Sequence, residues 1–208
     1  NAIEKISFVE KPSDKISLIY HTTPWRGLKI LLKVFKNLNL ENVELNVCSS
    51  TIIYGKKFDS LLGKTYAGLF DECKNTKNVN YYGFLNNDKI IDLLKKIHIF
   101  SYPSVWHETS CIAAIEAMAA GCEVVTTNLG ALYETCSPFG TFANFDRNFD
   151  NLEKKYSKVL SNSIKNYWSD KNQKKLRLQH EIINATYSWD VRSIEWKSFF
   201  DEARKLKA

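Results

Sequence analysis

Two glutamates eight residues apart, Glu108 and Glu116, flank the start of the most apolar helix pattern in the chain. From Ser110 to Ala120 the residues run Ser, Cys, Ile, Ala, Ala, Ile, Glu, Ala, Met, Ala, Ala, good helix formers with almost no polar face. Such a helix must be buried nearly all round. Glu116 is its one charge and has Ile112, Ala113, Ala119 and Ala120 three or four residues away, so its carboxylate is costly without a partner. Glu108 falls where the preceding loop turns into the helix. If the helix were continuous, the two acids would lie about 12 Å apart along its axis. Between them lie the free amides of the helix start and the positive end of its dipole, which suit a phosphate. Acid, anion site, acid fits a sugar nucleotide: Glu116 on the ribose hydroxyls, the helix start on the diphosphate, Glu108 on the donor sugar. The same spacing also suits a Glu108 that merely favours the dipole and a Glu116 in a core ion pair.

A second loop offers related chemistry. Thr22-Thr23-Pro24-Trp25-Arg26-Gly27 follows the first apolar strand and opens the next helix. Hydroxyls, an Arg and a Gly at a helix start can contact a diphosphate, though a surface Arg after a turn would look the same.

The stretch PSVWHETSCIAAIEAMAAGCEVV resembles the donor-site signature of retaining glycosyltransferases of family 4, glycosyl transferases group 1, which have the GT-B fold. Pro103, Ser104, Glu108, Glu116, Ala117, Met118, Ala119, Gly121, Val124 and Val125 are in register with it. The resemblance implies transfer from a UDP-, GDP- or ADP-sugar with retained anomeric configuration and no metal or cofactor, the nucleotide-sugar being the substrate. It implies that Glu116 binds ribose, that Arg26 with Gly27, Thr23 and the residues Thr109, Ser110 and Cys111 binds the diphosphate, and that Glu108 orients the sugar. Glu108 and Arg26 are the candidates for catalysis. His21 stands where the family usually has an Arg, and carries less assured charge. The Asn78 to Leu85 step, with Gly83, resembles the segment whose backbone lines the base pocket. Cys48-Ser49-Ser50 replaces a glycine-rich turn. A non-catalytic nucleotide-sugar-binding module, an epimerase of the same overall fold and a flavodoxin-like domain are the competing readings.

The elements that must position these residues alternate. Strands are predicted at Ile16–Tyr20, Val43–Cys48, Val79–Tyr82, His98–Tyr102 and Glu123–Thr127, with helices at Leu28–Leu38, Lys56–Lys74, Asn87–Lys96 and Ser110–Ala120 between them. This predicts an α/β, Rossmann-like parallel sheet with helices on both faces, one half of a GT-B fold, with ligands at the carboxyl ends of the strands. A short turn of helix at Ala131–Thr135 and a polar, Phe-containing stretch lead into helices at Asn151–Ile164, Asp170–Thr186 and Trp189–Lys205. Residues 1–14 read as a linker or edge segment, 15–168 as the nucleotide-sugar-binding domain and 169–208 as C-terminal helices. Asn1-Ala2-Ile3 resembles the step that ends the first half of the family's enzymes. With no Met at the start, this implies an N-terminal acceptor-binding domain absent from the chain. Trp196, Phe199 and Phe200 would then lack part of their packing.

At 208 residues, 44 % hydrophobic and 25 % charged, the chain can bury one sizeable core. Five cysteines, at 48, 73, 111, 122 and 136, form no CxxC pair and fit a reducing, cytoplasmic setting. The histidines at 21, 98, 107 and 180 lack metal-ligand spacing and no Asp-x-Asp triplet occurs, so no metal site is expected. Net charge is +6, with basic clusters at Lys171–Arg177 and Lys197–Lys207. A solvated helix face, a phosphorylated substrate or peripheral contact with the inner face of a membrane would suit these; without a nucleic-acid motif, a nucleic-acid partner is not expected.

Overall fold

Strands that are apolar along their whole length must be covered on both faces, which is the condition of a parallel sheet packed between helix layers. The computed structural model, which describes residues 1–205, has that arrangement. Its elements run β1 (Ile16–Tyr20), α1 (Leu28–Leu38), β2 (Val43–Val47), α2 (Lys56–Asn75), β3 (Val79–Tyr81), α3 (Asn87–Leu94), β4 (Ile99–Tyr102), α4 (Ile112–Ala119), β5 (Glu123–Thr127), α5 (Leu132–Cys136), β6 (Thr141–Ala143), α6 (Phe149–Asn166), α7 (Asp170–Tyr187) and α8 (Trp189–Lys205). All five residues of β1, and all five of β5, are buried. The six parallel strands stand in the order β3-β2-β1-β4-β5-β6. The order reverses between β1 and β4, where doubly wound sheets open a crevice at their carboxyl ends. Lys207, in the second basic cluster, lies outside the described residues.

Helix α4 is the centre of the packing. Six of its eight residues are buried, and its buried C-terminal end leaves carbonyls that need donors. Polar side chains of α7 supply them. Gln179 Nε2 donates to the Met118 and Cys122 carbonyls at 3.1 and 2.8 Å, Asn184 Nδ2 donates to Ala119 O at 3.0 Å, and the His180 ring meets the same carbonyl. The Lys11 ammonium donates to Ala120 O at 2.8 Å and to the Leu94 and Lys95 carbonyls at the end of α3, against the negative ends of both helix dipoles. The N-terminal segment is thus held as an edge piece: Ile3 bridges Ser188, and the Ile6 amide donates to Asn184 Oδ1 at 2.8 Å.

One stretch differs from the sequence-based expectation, and the exposed aromatics of the last helix agree with it. The polar stretch after α5 contains β6, a three-residue edge strand, and α6 starts at Phe149, where Asn148 caps it by accepting from the Asp150 and Asn151 amides. Helix α8 buries none of its side chains; Trp196, Phe199 and Phe200 are more than half exposed and pack on one another with centroids 5.5 to 5.7 Å apart.

Replacing Gln179 by Leu keeps the volume and removes both hydrogen bonds to the end of α4. The variant is expected to lose about 1–3 kcal/mol in urea denaturation, because the Cys122 carbonyl loses its donor and the Met118 carbonyl keeps only backbone amides such as that of Gly121. A loss below about 0.5 kcal/mol would show that these carbonyls are satisfied some other way.

Candidate active site

Three loops meet above the β1/β4 switch, and two glycines set how closely they approach. Gly27 has φ +135°, and a Cβ there would lie 2.2 Å from Pro103 O, so only glycine lets the β1–α1 loop touch the β4–α4 loop. Gly130, at φ +60°, would put a Cβ 2.7 Å from Glu108 O, and the Ala131 amide donates to that carbonyl at 2.8 Å. Glu108 is therefore clamped by its backbone from the β5–α5 side while its side chain faces the β1–α1 loop.

Arg26 ends a short 3-10 turn, Pro24–Arg26, and its Nη1 donates to Glu108 Oε1 at 2.8 Å. The Tyr102 hydroxyl, from the last residue of β4, donates to the same oxygen at 2.6 Å. Glu108 is 8 % exposed and Tyr102 fully buried. Burial, then the neighbouring Tyr20 and Glu108, push the Tyr102 phenol far above its ordinary value, so it stays a donor. Burial works against the Arg26 charge, but the carboxylate beside it more than restores it. The Trp106 ring lies 5.5 Å below the guanidinium, a cation–π contact.

Glu116 lies deeper, facing a cleft of about 260 Å³ lined by His21, Thr22, Thr23, Cys48, Ser50, Gly83 and the Phe84–Asn87 segment, among others. The ion pair that its position in an apolar helix suggested is not there: Asn87 Nδ2 donates to its Oε1 at 3.1 Å, and no cation pairs with it among the described residues. Burial raises its pKa, and the Asn87 bond offsets this in part. Nor is the helix continuous between the two glutamates. It starts at Ile112, with Cys111 at the N-cap in an extended conformation and no side chain capping the first-turn amides, so a spacing taken from a single helix does not apply.

Of the expected residues, Glu108 and Arg26 meet directly, and Glu116, His21, Thr23 and Gly83 share the cleft. Gly27 shapes the loop contact without lining that cleft. Cys111 is buried at the α4 start and Ser110 half-buried beside it, whereas Thr109 is exposed. His98, just before β4 at the amino ends of the strands, is held by the Ser17 amide and the Pro12 carbonyl, a structural role. His107 is exposed. Sequence reasoning missed Tyr102 and Asn87. Among the described residues, nine buried side-chain N or O atoms lack a partner, and four of them, His21 Nε2, Thr22 Oγ1, Thr23 Oγ1 and Arg26 Nε, sit on this one loop.

A profile of the family described as glycosyl transferases group 1 matches residues 2–177. This chain belongs to that family. An uncharacterized glycosyltransferase of Methanocaldococcus jannaschii is 28 % identical over 194 residues, covering 90 % of this chain and 46 % of the relative. Sucrose-phosphate synthase from Thermosynechococcus elongatus has the same fold at TM-score 0.71 and 16 % identity, over 94 % of this chain and 47 % of that one. Anabaena HepE, solved with UDP and glucose, matches at TM-score 0.64 and 16 % identity, over 92 % and 49 %. The chain spans about half the length of each of these proteins, and its six-stranded sheet is the Rossmann-like architecture of a GT-B half. No helix among the described residues is long and apolar enough to cross a membrane.

His21 carries a pH signature. Burial lowers its pKa to about 4, with a backbone bond to Ala113 working the other way. The unfolded chain, with an ordinary histidine near pH 6.5, takes the proton first as pH falls. The contribution to stability is therefore complete above about pH 6.5 and lost progressively down to about pH 4. His98, also lowered chiefly by burial, adds in the same direction. His21→Asn is expected to flatten the fall of unfolding free energy between about pH 6 and pH 4.5 by about 1.4 kcal/mol per pH unit, measured by urea denaturation at each pH. An unchanged slope would mean that His21 is not a buried neutral ring.

Proposed function

We propose that this chain is the nucleotide-sugar-binding half of a retaining, family 4 glycosyltransferase that works without a metal. The observation that carries this reading is the concentration of unpartnered polar atoms on the His21–Arg26 loop, whose residues His21, Thr22 and Thr23 line a cleft that also holds the buried carboxylate of Glu116. Buried polar groups without partners are costly, and their gathering at one crevice over the sheet's switch point fits a polar ligand.

In this reading the ribose diol donates to Glu116, which offsets the desolvation that raises its pKa. The diphosphate lies between Arg26, the Thr22 and Thr23 hydroxyls and the first amides of α4 near Ser110 and Cys111. With His21 neutral, Arg26 is the cation of the loop, so stabilisation of the departing nucleotide rests on it, the hydroxyls and the helix dipole. Glu108, whose Oε1 is held by Arg26 and Tyr102, meets the hydroxyls of the donor sugar with its other oxygen. The bond from the anomeric carbon to the phosphate oxygen breaks, the acceptor oxygen bonds on the same face, and the leaving phosphate takes the acceptor's proton. No side chain is assigned as general base; the contribution is positional and electrostatic. The reacting end of the acceptor would be bound by a second domain in the part of the relatives that this chain does not span. The five cysteines are free and buried, which accords with the cytoplasmic location included in the proposal.

Calorimetric titration with UDP, GDP and ADP tests this, alongside Glu116→Ala and Arg26→Ala variants checked for folding by circular dichroism. One nucleotide is expected to bind, and each substitution to weaken it by about tenfold or more. No binding of any of the three at millimolar concentration, or binding indifferent to both substitutions, would overturn the reading.

A further inference from the structure

A second cleft, of about 520 Å³, opens on the other side of the Pro24–Arg26 turn, between the starts of α1 and α6 and the middle of α2. Its volume is in the range of about 300–1,000 Å³ usual for small-ligand sites. Trp25 and Tyr66 line it with ring centroids 5.8 Å apart, and Phe149 stands on the α6 side with 51 % of its surface in water. Core packing does not account for Phe149, because α6 buries Leu152, Tyr156 and Leu160 instead. Lys29, Thr65 and Glu72, all exposed, add hydrogen-bonding groups to the lining.

Aromatic rings bordered by a mixed polar rim match one ligand chemistry closely. A pyranose has an apolar C–H face that packs on a ring and an edge of hydroxyls that both donate and accept. An acyl chain would have no use for Lys29, Thr65 and Glu72, and for a phosphorylated ligand the cation of the lining, Lys29, is offset by the carboxylate of Glu72. The cleft also adjoins the reacting centre. Gly27 and Val105 line it, and the Val105 amide donates at 3.1 Å to the carbonyl of Arg26, the residue whose guanidinium holds Glu108. The nucleotide cleft lies across the turn, so a chain leaving the reacting centre away from the nucleotide meets Trp25 first.

We propose that this cleft holds sugar residues of the acceptor, which makes the acceptor a carbohydrate chain whose remote pyranoses pack on Trp25, Tyr66 and Phe149. The word acceptor rests on the donor-site reading above; sugar binding by the cleft does not. The test is a ¹H–¹⁵N NMR titration of the whole chain with maltotriose, cellotriose, mannotriose and chitotriose up to about 20 mM, as befits weak sites. At least one trisaccharide is expected to shift the Trp25 indole signal. Phe149→Ala, at an exposed position that the fold does not need, should weaken that binding about tenfold and leave nucleotide affinity unchanged. If none of the four shifts the Trp25 signal, or if Phe149→Ala and Thr65→Ala both leave the affinity unaltered, the cleft is not a glycan site. Trisaccharide binding in a chain that binds no nucleotide would keep the sugar site and overturn its role as acceptor subsite.

Discussion

A helix with no polar face can sit at the centre of a sheet only if every carbonyl of its buried end finds a donor. Helix α4 meets that condition through Gln179, His180 and Asn184 of α7 and through Lys11 of the N-terminal segment, which together cover the carbonyls of Met118, Ala119, Ala120 and Cys122. The terminal helices and the first residues of the chain thus act on the site from its far end. They fix the axis of α4, and with it the depth of Glu116 and the direction of the free first-turn amides. A change in α7, distant from any ligand, would be felt at the crevice through this one helix.

The electrostatics of the crevice follow from how little positive charge it contains. Arg26 is engaged by Glu108, His21 is neutral through burial, and Glu116 has an amide for a partner in place of a cation. Ligand binding in the proposed function therefore draws on hydroxyls, backbone amides and one shared guanidinium, and the polar atoms left without partners on the β1–α1 loop are a cost in stability that a ligand would offset. Tyr102 matters in this balance: a buried phenol that cannot ionise keeps Glu108 hydrogen-bonded even if Arg26 turns toward another anion.

The parts of the fold set by local chemistry were legible in the sequence. β1, α1 and β5 have the bounds that the sequence predicts, because strand and helix patterning acts over a few neighbours. β6 escaped because three residues make no period, and its pairing with β5 exists only in the assembled sheet. The start of α4 was placed two residues early because Ser110 and Cys111 are helix-compatible by type, whereas Cys111 is the extended N-cap. At the site, Glu108, Glu116 and Arg26 stood out by type and spacing, whereas Tyr102 and Asn87 did not. A tyrosine ending an apolar strand reads as core, and Asn87 reaches Glu116 across 29 positions of sequence. The aromatic cleft likewise joins Trp25, Tyr66 and Phe149, which no local pattern connects.

The central claim is that the β1–α1 loop and the start of α4 form a diphosphate site, and inorganic pyrophosphate probes it without reference to base, sugar or acceptor. The decisive measurement is an NMR titration with pyrophosphate that follows the His21 ring and the amides of Thr22, Thr23, Cys111 and Ile112. The account predicts saturable shifts centred on those groups and abolished by Arg26→Ala. Shifts spread over the lysines of α7, or none at all, would contradict it.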